Sequence, residues 1–409
     1  MNDERKRPHR NDPPKSTVAR SDELEVTVEK LIAGGDGMAR HEGLPIFVAR
    51  SAPGDHCRVK VTERKTGYAR AEIVELVTPG PGRREPICRH FGDCGGCDLQ
   101  HIEDDLQVAL KVAATVETLE RLGRLKLPEP RIVAGDAWNY RSRTQLHGAV
   151  RKVEGQARPA VGYHARGSHR LVVVEECPVL VKDLEIAVRR LPALLGPEPP
   201  KRVDLTIGDG GRLSCAPVIA ELPHGEVTAT VGEFDYAYDA RCFFQGHRQL
   251  LPELVAAVVG AGSPERLDLA VDLFSGVGLF TLPLAQRYEK VVAVEGDRVA
   301  ARFARLNARR NGATNVETVH QAVESWIPHL TREVGRVLVD PPRSGLPRAV
   351  TTRLREVNPG QITYVSCHPA ALARDLRALY ASHAVTEVTM VDLFPQTGHL
   401  ETVVQLARR

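Results

Sequence analysis

Near the start of the chain, from residue 22 to residue 78, apolar and polar positions alternate in short runs. ELEVTVEKL precedes the turn GGDG, LPIFVAR precedes SAPGD, and HCRVKVTERK is joined to YARAEIVELV by KTG. This alternation is the period of a strand with one buried face, and frequent glycine-rich turns are typical of a small barrel. We expect an OB-like β-barrel over residues 21–80, after a disordered basic tail over residues 1–20.

The pattern changes twice more along the chain. After the barrel, a helical run is followed by several strand-like runs, so residues 81–250 are predicted to form a β-rich central domain. From Leu267 onward, apolar strands alternate with helices, as in VDLFSG, LFTLPLAQR, KVVAVEGD, RVLVDPPRSG and ITYVSCHP. The order β-α-β-α predicts a doubly wound, Rossmann-like α/β domain with a parallel sheet over residues 251–409.

Composition and charge limit the class of protein. The apolar content of 42% is that of a globular protein, and no run approaches the roughly 18 apolar residues of a membrane span. Because MNDERKRPHR contains no apolar segment, we expect a cytoplasmic protein without a secretory signal. The net charge of +3 is too small to indicate a nucleic-acid partner by itself. The basic tail could contact phosphates or merely keep the chain soluble.

A glycine-rich turn marks a candidate cofactor site. Gly276 and Gly278 follow an apolar strand in VDLFSGVGLF, and the next strand ends at Glu295. Glycines allow a ligand to approach the backbone closely, and an acid at the second strand end suits ribose hydroxyls. The spacing differs from the GxGxxG of dinucleotide enzymes. It favours a nucleoside cofactor without a pyrophosphate, such as S-adenosylmethionine, over a purely structural turn.

Three further segments contain candidate catalytic groups. Asp340 begins DPPRSG, where Arg343 occupies the position of the aromatic residue of amino methylases. Cys367 follows an apolar strand in YVSCHP, and Glu401 begins an apolar run in GHLETVVQL. Uridine C5 becomes nucleophilic when a thiolate adds to C6, after which a base must remove the C5 proton. A cysteine at a strand end and a carboxylate could supply these groups, although each alone has a structural explanation.

In combination, these segments resemble the uracil-C5 RNA methyltransferase family. The resemblance extends from about Glu23 to the end of the chain, and residues 22–78 resemble a TRAM domain, an RNA-binding barrel. It is carried by FFQGHRQLLPELV, DLFSGVGLFTLPLA, VVAVEGD, VLVDPPRSGL, YVSCHPAALARDL and HLETVVQL. The resemblance implies an RNA substrate, S-adenosylmethionine as cofactor, Cys367 as nucleophile and Glu401 as base.

The same resemblance assigns the contacts of the cofactor and active site. They are Gln245, Phe274, Glu295 and Asp340, in addition to Gly276 and Gly278 of the turn. The chain departs from the family pattern at two places. Gly246 and His247 follow the FFQ segment, where an Asn is frequent, and Leu279 stands where some members have Asn.

A cluster of cysteines predicts a metal centre. Cys88, Cys94 and Cys97 have the spacing C-x5-C-x2-C, and Cys177 is a candidate fourth ligand. From the residues alone, a four-thiolate zinc site and a [4Fe–4S] cluster are equally supported. The pattern resembles the branch of the family that carries an iron–sulfur cluster, which favours [4Fe–4S] in a structural or RNA-positioning role. The remaining cysteines Cys57, Cys215 and Cys242 are interpreted as small apolar residues.

The RNA target and two other classes of protein stay open at this point. A TRAM domain with a cluster resembles the 23S ribosomal RNA branch, which we favour over the tRNA T-loop enzymes, and we expect a monomer. A radical methylthiotransferase would need C-x3-C-x2-C, which is absent from the sequence. A non-catalytic RNA-binding or ribosome-assembly protein would not need both Cys367 and Glu401. Tyr140, Arg141 and Arg143 are predicted to form a strand face that contacts RNA.

Overall fold

The computed structural model describes residues 17–260 and 267–409, and its N-terminal part is a six-stranded sheet. The strand order is β1-β5-β6-β4-β3-β2. The strands are β1 (Glu23–Thr27), β2 (Lys30–Leu31), β3 (Gly37–His41), β4 (Leu44–Ala49), β5 (His56–Lys65) and β6 (Tyr68–Thr78). Alternate residues of β4 face the core, where Ile46 and Val48 are fully buried. Val18 also packs into this core, whereas residues 1–16 of the predicted tail lie outside the described residues.

The central part is an antiparallel sheet with the order β10-β9-β8-β11-β12, with one helix packed against it. It follows α1 (Asp104–Gly123) and β7 (Arg131–Val133). Its elements are β8 (Arg143–Val153), β9 (Gln156–His164), β10 (Leu171–Val173), α2 (Lys182–Leu194), β11 (Val203–Ile207) and β12 (Leu213–Ala216). A separate hairpin of β13 (Val227–Val231) and β14 (Phe234–Tyr238) leads towards the C-terminal part.

The C-terminal part is built on an eight-stranded sheet with the order β17-β16-β15-β18-β19-β21-β20-β7. Its strands are β15 (Leu267–Leu273), β16 (Tyr288–Glu295), β17 (Val316–His320), β18 (Arg336–Val339), β19 (Gln361–Ser366), β20 (His383–Val391) and β21 (Glu401–Arg408). Its helices are α3 (Leu251–Val259), α4 (Thr281–Ala285), α5 (Arg298–Arg310), α6 (Val323–Trp326), α7 (Arg348–Val357) and α8 (Pro369–Leu379). The neighbours among β15–β19 pair in parallel, which confirms the predicted doubly wound fold. The order reverses between β15 and β18, the position at which such sheets bind ligands.

Two elements from before residue 250 also join the C-terminal part. β7 pairs in parallel with β20 and thereby extends the eight-stranded sheet, and α1 packs against α8. Sequence patterns cannot show this, because strand pairing over so long a separation depends on tertiary contacts. The domain limits at residues 80 and 250 stay predictions.

Helix α1 buries polar side chains as well as apolar ones. An apolar face made of its leucines and valines is the usual pattern, yet the most buried positions include Gln107 and Lys111. Lys111 Nζ lies 2.5 Å from Asp392 Oδ1, and both side chains are almost completely buried. Burial lowers the pKa of Lys111, and the Asp392 carboxylate opposes that shift. Leaving one such partner unpaired typically costs about 3–5 kcal/mol, so this pair ties α1 to the loop after β20.

In the described ranges, no helix combines the length and the apolar character needed to cross a membrane.

Candidate active site

Two neighbouring strand ends bring the predicted nucleophile and base together. β19 and β21 are antiparallel with Ser366 opposite Thr402, so the next positions, Cys367 and Glu401, lie side by side at these strand ends. Both residues line one cavity of about 510 Å³. Ser366 Oγ accepts a hydrogen bond from the His368 N–H at 3.1 Å and shapes the turn in which Cys367 lies. The cavity therefore holds a thiol beside a carboxyl group, with space for a planar ring.

The surroundings of Cys367 decide how readily its thiol ionises. Burial raises the pKa of Cys367 to about 11, and the neighbouring carboxylates of Glu401 and Asp340 add to this effect. Arg343 opposes it through its charge and a hydrogen bond with the thiol. The guanidinium therefore stabilises the thiolate, the form of cysteine that acts as a nucleophile.

A group of buried carboxyl groups follows the strand ends. Glu401 is 3% exposed, and burial together with Asp340 raises its pKa well above the usual value. Burial likewise raises the pKa of Asp340 to about 7, and the nearby Asp272 adds to this. Two carboxylates in one desolvated space do not both ionise readily, so Asp340 and Glu401 titrate as a pair. Such a pair can hold one shared proton.

The turn after β15 forms the other end of the cavity. Phe274 has a φ of 64°, a left-handed conformation that is unusual for a bulky residue, and Gly276 has a φ of 55°. Glu295 accepts hydrogen bonds from the N–H groups of Gly276 at 2.8 Å and Asp297 at 2.6 Å. These bonds hold the carboxylate in one orientation beside the cavity, where its free lone pairs could accept from two hydroxyl groups. Gly278 follows in the same turn with a φ of 93°.

Unsatisfied polar atoms show that this end suits a polar ligand. Gln245 is 5% exposed and lines the cavity, and its Oε1 has no hydrogen-bond partner within the described residues. Ser275 Oγ is likewise buried without a partner there. Buried polar atoms are usually satisfied, so these two positions fit a bound polar group. The residues present therefore fit a nucleoside cofactor.

The two departures from the family pattern have structural roles. His247 is 1% exposed, its ring stacks on Tyr140 with centroids 4.7 Å apart, and its Nε2 lies 3.1 Å from the Asp136 carbonyl. Leu279 lines the cavity, and its carbonyl accepts from the Tyr236 hydroxyl at 2.9 Å. Neither residue contacts Cys367 or Glu401 through a hydrogen bond in the described parts of the chain.

Sequence reasoning did not identify two acids of this site. Asp272 is completely buried, accepts a hydrogen bond from Thr281 Oγ1 at 2.6 Å, and has a pKa raised to about 7 by burial. Asp297 lines the cavity and caps α5 by accepting from Val299 and Ala300. An acid within an apolar strand and an Asp before a helix were visible signals, although both also occur as structural residues.

The four predicted metal ligands also converge. Cys88, Cys94, Cys97 and Cys177 line one small pocket together with Arg141. Burial raises the pKa of Cys97 to about 12 and that of Cys177 to about 11, so these thiols need nearby positive charge to ionise. In residues 17–260 and 267–409, no three His, Cys, Asp or Glu side chains form a recognisable site for a metal ion. Four convergent thiols are the donor set of a thiolate-bound cluster, which itself stays a prediction.

The predicted RNA-contact face is wrong for two of its three residues. Tyr140 is 8% exposed, and its hydroxyl donates to the Pro395 carbonyl at 2.9 Å. Arg141 lines the thiol pocket instead of a strand surface. Arg143 pairs with Asp204 and lies over the ring of Phe243, which is 59% exposed at the rim of the active-site cavity. Tyr140 is buried because it packs against the loop of residues 392–400. The sequence does not reveal this contact.

Comparisons with known proteins agree with this geometry. A family model described as tRNA (Uracil-5-)-methyltransferase matches residues 225–409, and that of the TRAM domain matches residues 19–74. The 23S rRNA (uracil(1939)-C(5))-methyltransferase RlmD of Pectobacterium atrosepticum is 35% identical over 93% of this chain and 92% of that protein. The protein of the same name from Pectobacterium carotovorum is also 35% identical, over 93% of each chain.

A solved structure supports the fold over nearly the whole chain. The crystal structure of Pyrococcus abyssi tRNA (uracil-54, C5)-methyltransferase in complex with S-adenosyl-L-homocysteine aligns with a TM-score of 0.69. The alignment covers 94% of this chain and 100% of that one, at 24% sequence identity. Identity to the named relatives over almost the full length settles the family, and the predicted resemblance is confirmed. The chain, with its N-terminal TRAM domain, belongs to the RNA (uracil-C5) methyltransferase family.

Proposed function

We propose that this protein transfers a methyl group from S-adenosylmethionine to C5 of a uridine in 23S ribosomal RNA. The observation that carries the proposal is the meeting of Cys367 and Glu401 in one cavity, beside a turn suited to a nucleoside cofactor. Both relatives described above are named for ribosomal RNA, which favours that target. The tRNA T-loop is the second candidate, because the aligned solved structure is named for uracil-54 of tRNA.

In the proposed reaction, Cys367 acts on C6 of the uracil ring and Glu401 acts on the neighbouring C5. The Cys367 thiolate, stabilised by Arg343, forms a bond between Sγ and C6 and places the electron pair on C5 as an enolate. After C5 has gained its methyl group, Glu401 takes the C5 proton, the C5–C6 double bond re-forms, and the Sγ–C6 bond breaks. Glu401 must be ionised at that step, and its pairing with Asp340 lets the other carboxyl group hold the shared proton.

The cofactor would occupy the end of the cavity formed by the turn after β15. Glu295 would accept hydrogen bonds from ribose hydroxyls, while Gln245 and Ser275 offer unsatisfied polar atoms for the remaining polar groups. When bound, S-adenosylmethionine supplies an electrophilic methyl group on a sulfonium. Phe274, Gly276 and Gly278 shape the backbone around it, and Asp340 lines the same cavity.

We further propose that Cys88, Cys94, Cys97 and Cys177 hold a [4Fe–4S] cluster with a structural role. Four protein thiolates would leave no open iron, so the cluster would order the surrounding loops instead of reacting with the substrate. The expected cytoplasmic location and monomeric state stay predictions.

A covalent-trapping experiment tests the nucleophile. RNA containing 5-fluorouridine should form a stable protein–RNA adduct, because fluorine at C5 cannot leave as a proton does. Cys367→Ala should form no adduct and lower methylation by at least roughly 10⁴-fold, since the first bond cannot form. The matched control is Cys215→Ala, which removes a buried thiol outside the cavity and should leave both readouts unchanged.

The target is tested in the same assay with transcripts of 23S rRNA and of tRNA, followed by detection of 5-methyluridine by mass spectrometry. Methylation of neither transcript, or retained methylation by Cys367→Ala, would refute the proposal.

A further inference from the structure

A second cavity opens beside the active site. It has a volume of about 430 Å³ and is lined by Arg241, Arg298, Val299, Ala301, Arg302, Arg305 and His320. Arg241 lines both cavities, and α5 supplies wall residues to each of them, so the two cavities are adjacent. No acidic side chain is among the residues of the described chain that line the second cavity.

The arginines of this cavity are largely free of acidic partners. Arg298, Arg302 and Arg305 are exposed and follow one another at intervals of four and three residues, which places them along one face of α5. Arg310 of the same helix pairs with Glu226, and Arg241 pairs with Asp239. Among the described residues, by contrast, no carboxylate lies within ion-pairing distance of these three arginines. Concentrated, uncompensated positive charge attracts polyanions.

We propose that this cavity binds the phosphate backbone of the RNA strand that leads into the active site. The proposal rests on the proposed function. Guanidinium groups bind phosphates through paired hydrogen bonds, and the chain here offers several of them next to the cavity that must admit the target nucleotide. Arg241 would contact the phosphate nearest the methylated uridine, because it alone among these arginines lines both cavities.

The test compares two double variants of equal charge change. Arg302→Gln with Arg305→Gln removes two cavity arginines, whereas Arg355→Gln with Arg377→Gln removes two exposed arginines of α7 and α8. Methylation kinetics are measured against RNA concentration at several salt concentrations. The cavity variant should raise KM for RNA by roughly tenfold, reduce the slope of log affinity against log salt by about two, and keep kcat at saturating RNA.

Equal increases in KM for the two double variants, or no increase for the cavity variant, would overturn this proposal. An absence of methylation by the wild-type protein would instead refute the proposed function. The two failures are thereby distinguishable.

A separate observation concerns the loop from residue 392 to residue 400, between β20 and β21. It contributes Phe394 to the active-site cavity and ends at Glu401. Within it, Gln396 is completely buried and has a φ of 66°, in the left-handed region that favours glycine. A strained, buried residue persists only where its surroundings hold it firmly.

The contacts of Gln396 account for that conformation. Its N–H donates to Gln107 Oε1 and its Oε1 accepts from Gln107 Nε2, both at 3.0 Å. Its Nε2 donates to Asp104 Oδ1 at 2.6 Å. Its carbonyl accepts from the N–H groups of Asp98 and Leu99, at 2.8 and 3.0 Å. All of its polar groups are therefore bonded, to α1 on one side and to the segment after Cys97 on the other.

We infer that Gln396 is a positioning residue that sets the placement of Glu401 for removal of the C5 proton. It connects the cysteine-containing segment and α1 to the loop that leads to the base, and Gly398 strengthens this connection by donating to Asp98 Oδ2 at 3.2 Å. Displacement of the loop would shift Glu401 without removing Cys367. The inference rests on the proposed function, and it predicts a defect in proton removal and not in thiol addition.

The test uses RNA with ordinary uridine. Gln396→Ala should lower kcat by about 10- to 100-fold and accumulate a methylated covalent protein–RNA adduct, resistant to denaturing detergent, because addition continues while proton removal slows. Gln396→Asn, which tolerates positive φ, should show a smaller accumulation. The control Gln405→Ala also removes hydrogen bonds, to Ala257 and Val258, but four residues further along β21 than Glu401. It should lower thermal stability without adduct accumulation.

A Gln396→Asn protein with wild-type kcat, or slower Gln396 variants without adduct, would overturn the inference. If the wild-type protein forms no adduct even with 5-fluorouridine RNA, the proposed function fails instead.

Discussion

Two pockets of this protein are lined by buried or half-buried cysteines, and they differ in what surrounds the sulfur. Cys367 lies in a cavity of about 510 Å³ with carboxyl groups and Arg343 as neighbours. Cys88, Cys94, Cys97 and Cys177 instead share a much smaller pocket, with Arg141 nearby. Burial raises thiol pKa values in both places. Burial alone therefore does not separate a nucleophile from a ligand.

The neighbours of a thiol and the space around it, and not its burial, assign its role in this protein. A single thiol beside a carboxyl group, with room for a ring, can form and break a bond to a substrate. Several thiols that face one another leave little room for a substrate and can share a metal centre. The predictions below test this distinction, in order of decreasing effect on turnover.

The largest effect concerns the base of the active-site cavity. Glu401→Gln keeps the shape of the side chain but cannot accept the C5 proton, so turnover should fall by about 10³-fold. Addition of Cys367 should continue, and a covalent adduct with ordinary uridine RNA should accumulate on denaturing gels. Asp297→Asn, at the edge of the same cavity, is the matched control and should accumulate none. A Glu401→Gln protein that turns over normally would remove the distinction between the two pockets.

An intermediate effect is expected in the thiol pocket. The Cys97→Ser protein should bind no iron and should have a lower melting temperature. A metal that binds only the folded chain stabilises it, and this stabilisation would be lost. If the pocket is structural, turnover at saturating RNA should fall by less than about tenfold. Iron analysis and thermal unfolding of anaerobically prepared protein provide the measurements. Cys57→Ser, in the core of the six-stranded N-terminal sheet, should keep its iron. Iron-free wild-type protein would contradict the assignment of this pocket.

The smallest effect concerns the pH dependence of thiol addition. The pKa of Cys367 is about 11, so the thiolate fraction and the rate of adduct formation with 5-fluorouridine RNA should rise between pH 7 and pH 9. Arg343 lowers the thiol pKa, so Arg343→Gln should raise it and move the profile to higher pH. Arg353→Gln on α7 should leave the profile in place. A shift to lower pH in Arg343→Gln would show that Arg343 does not stabilise the thiolate.

Local pattern was sufficient for much of the fold and for the identity of the reacting groups. Alternation in LPIFVAR indicated β4, and the strand-turn-helix order of VDLFSGVGLF placed Gly276 at a ligand-binding edge. Cys367 and Glu401 were identifiable because each follows or begins an apolar strand. Local pattern does not reveal where a polar side chain is buried, as in α1, whose Lys111 and Gln107 face inward.

Local patterns along the chain were enough for the order of strands and helices, the family, and the side chains available for chemistry, because these depend on near neighbours in the sequence. The packing of the folded chain determined that β19 and β21 pair so that Cys367 meets Glu401, and that β7 joins the distant β20. It also decided that Gln107 and Gln396, 289 residues apart, bond to each other. Such contacts depend on how sheets and helices pack, which no local periodicity encodes.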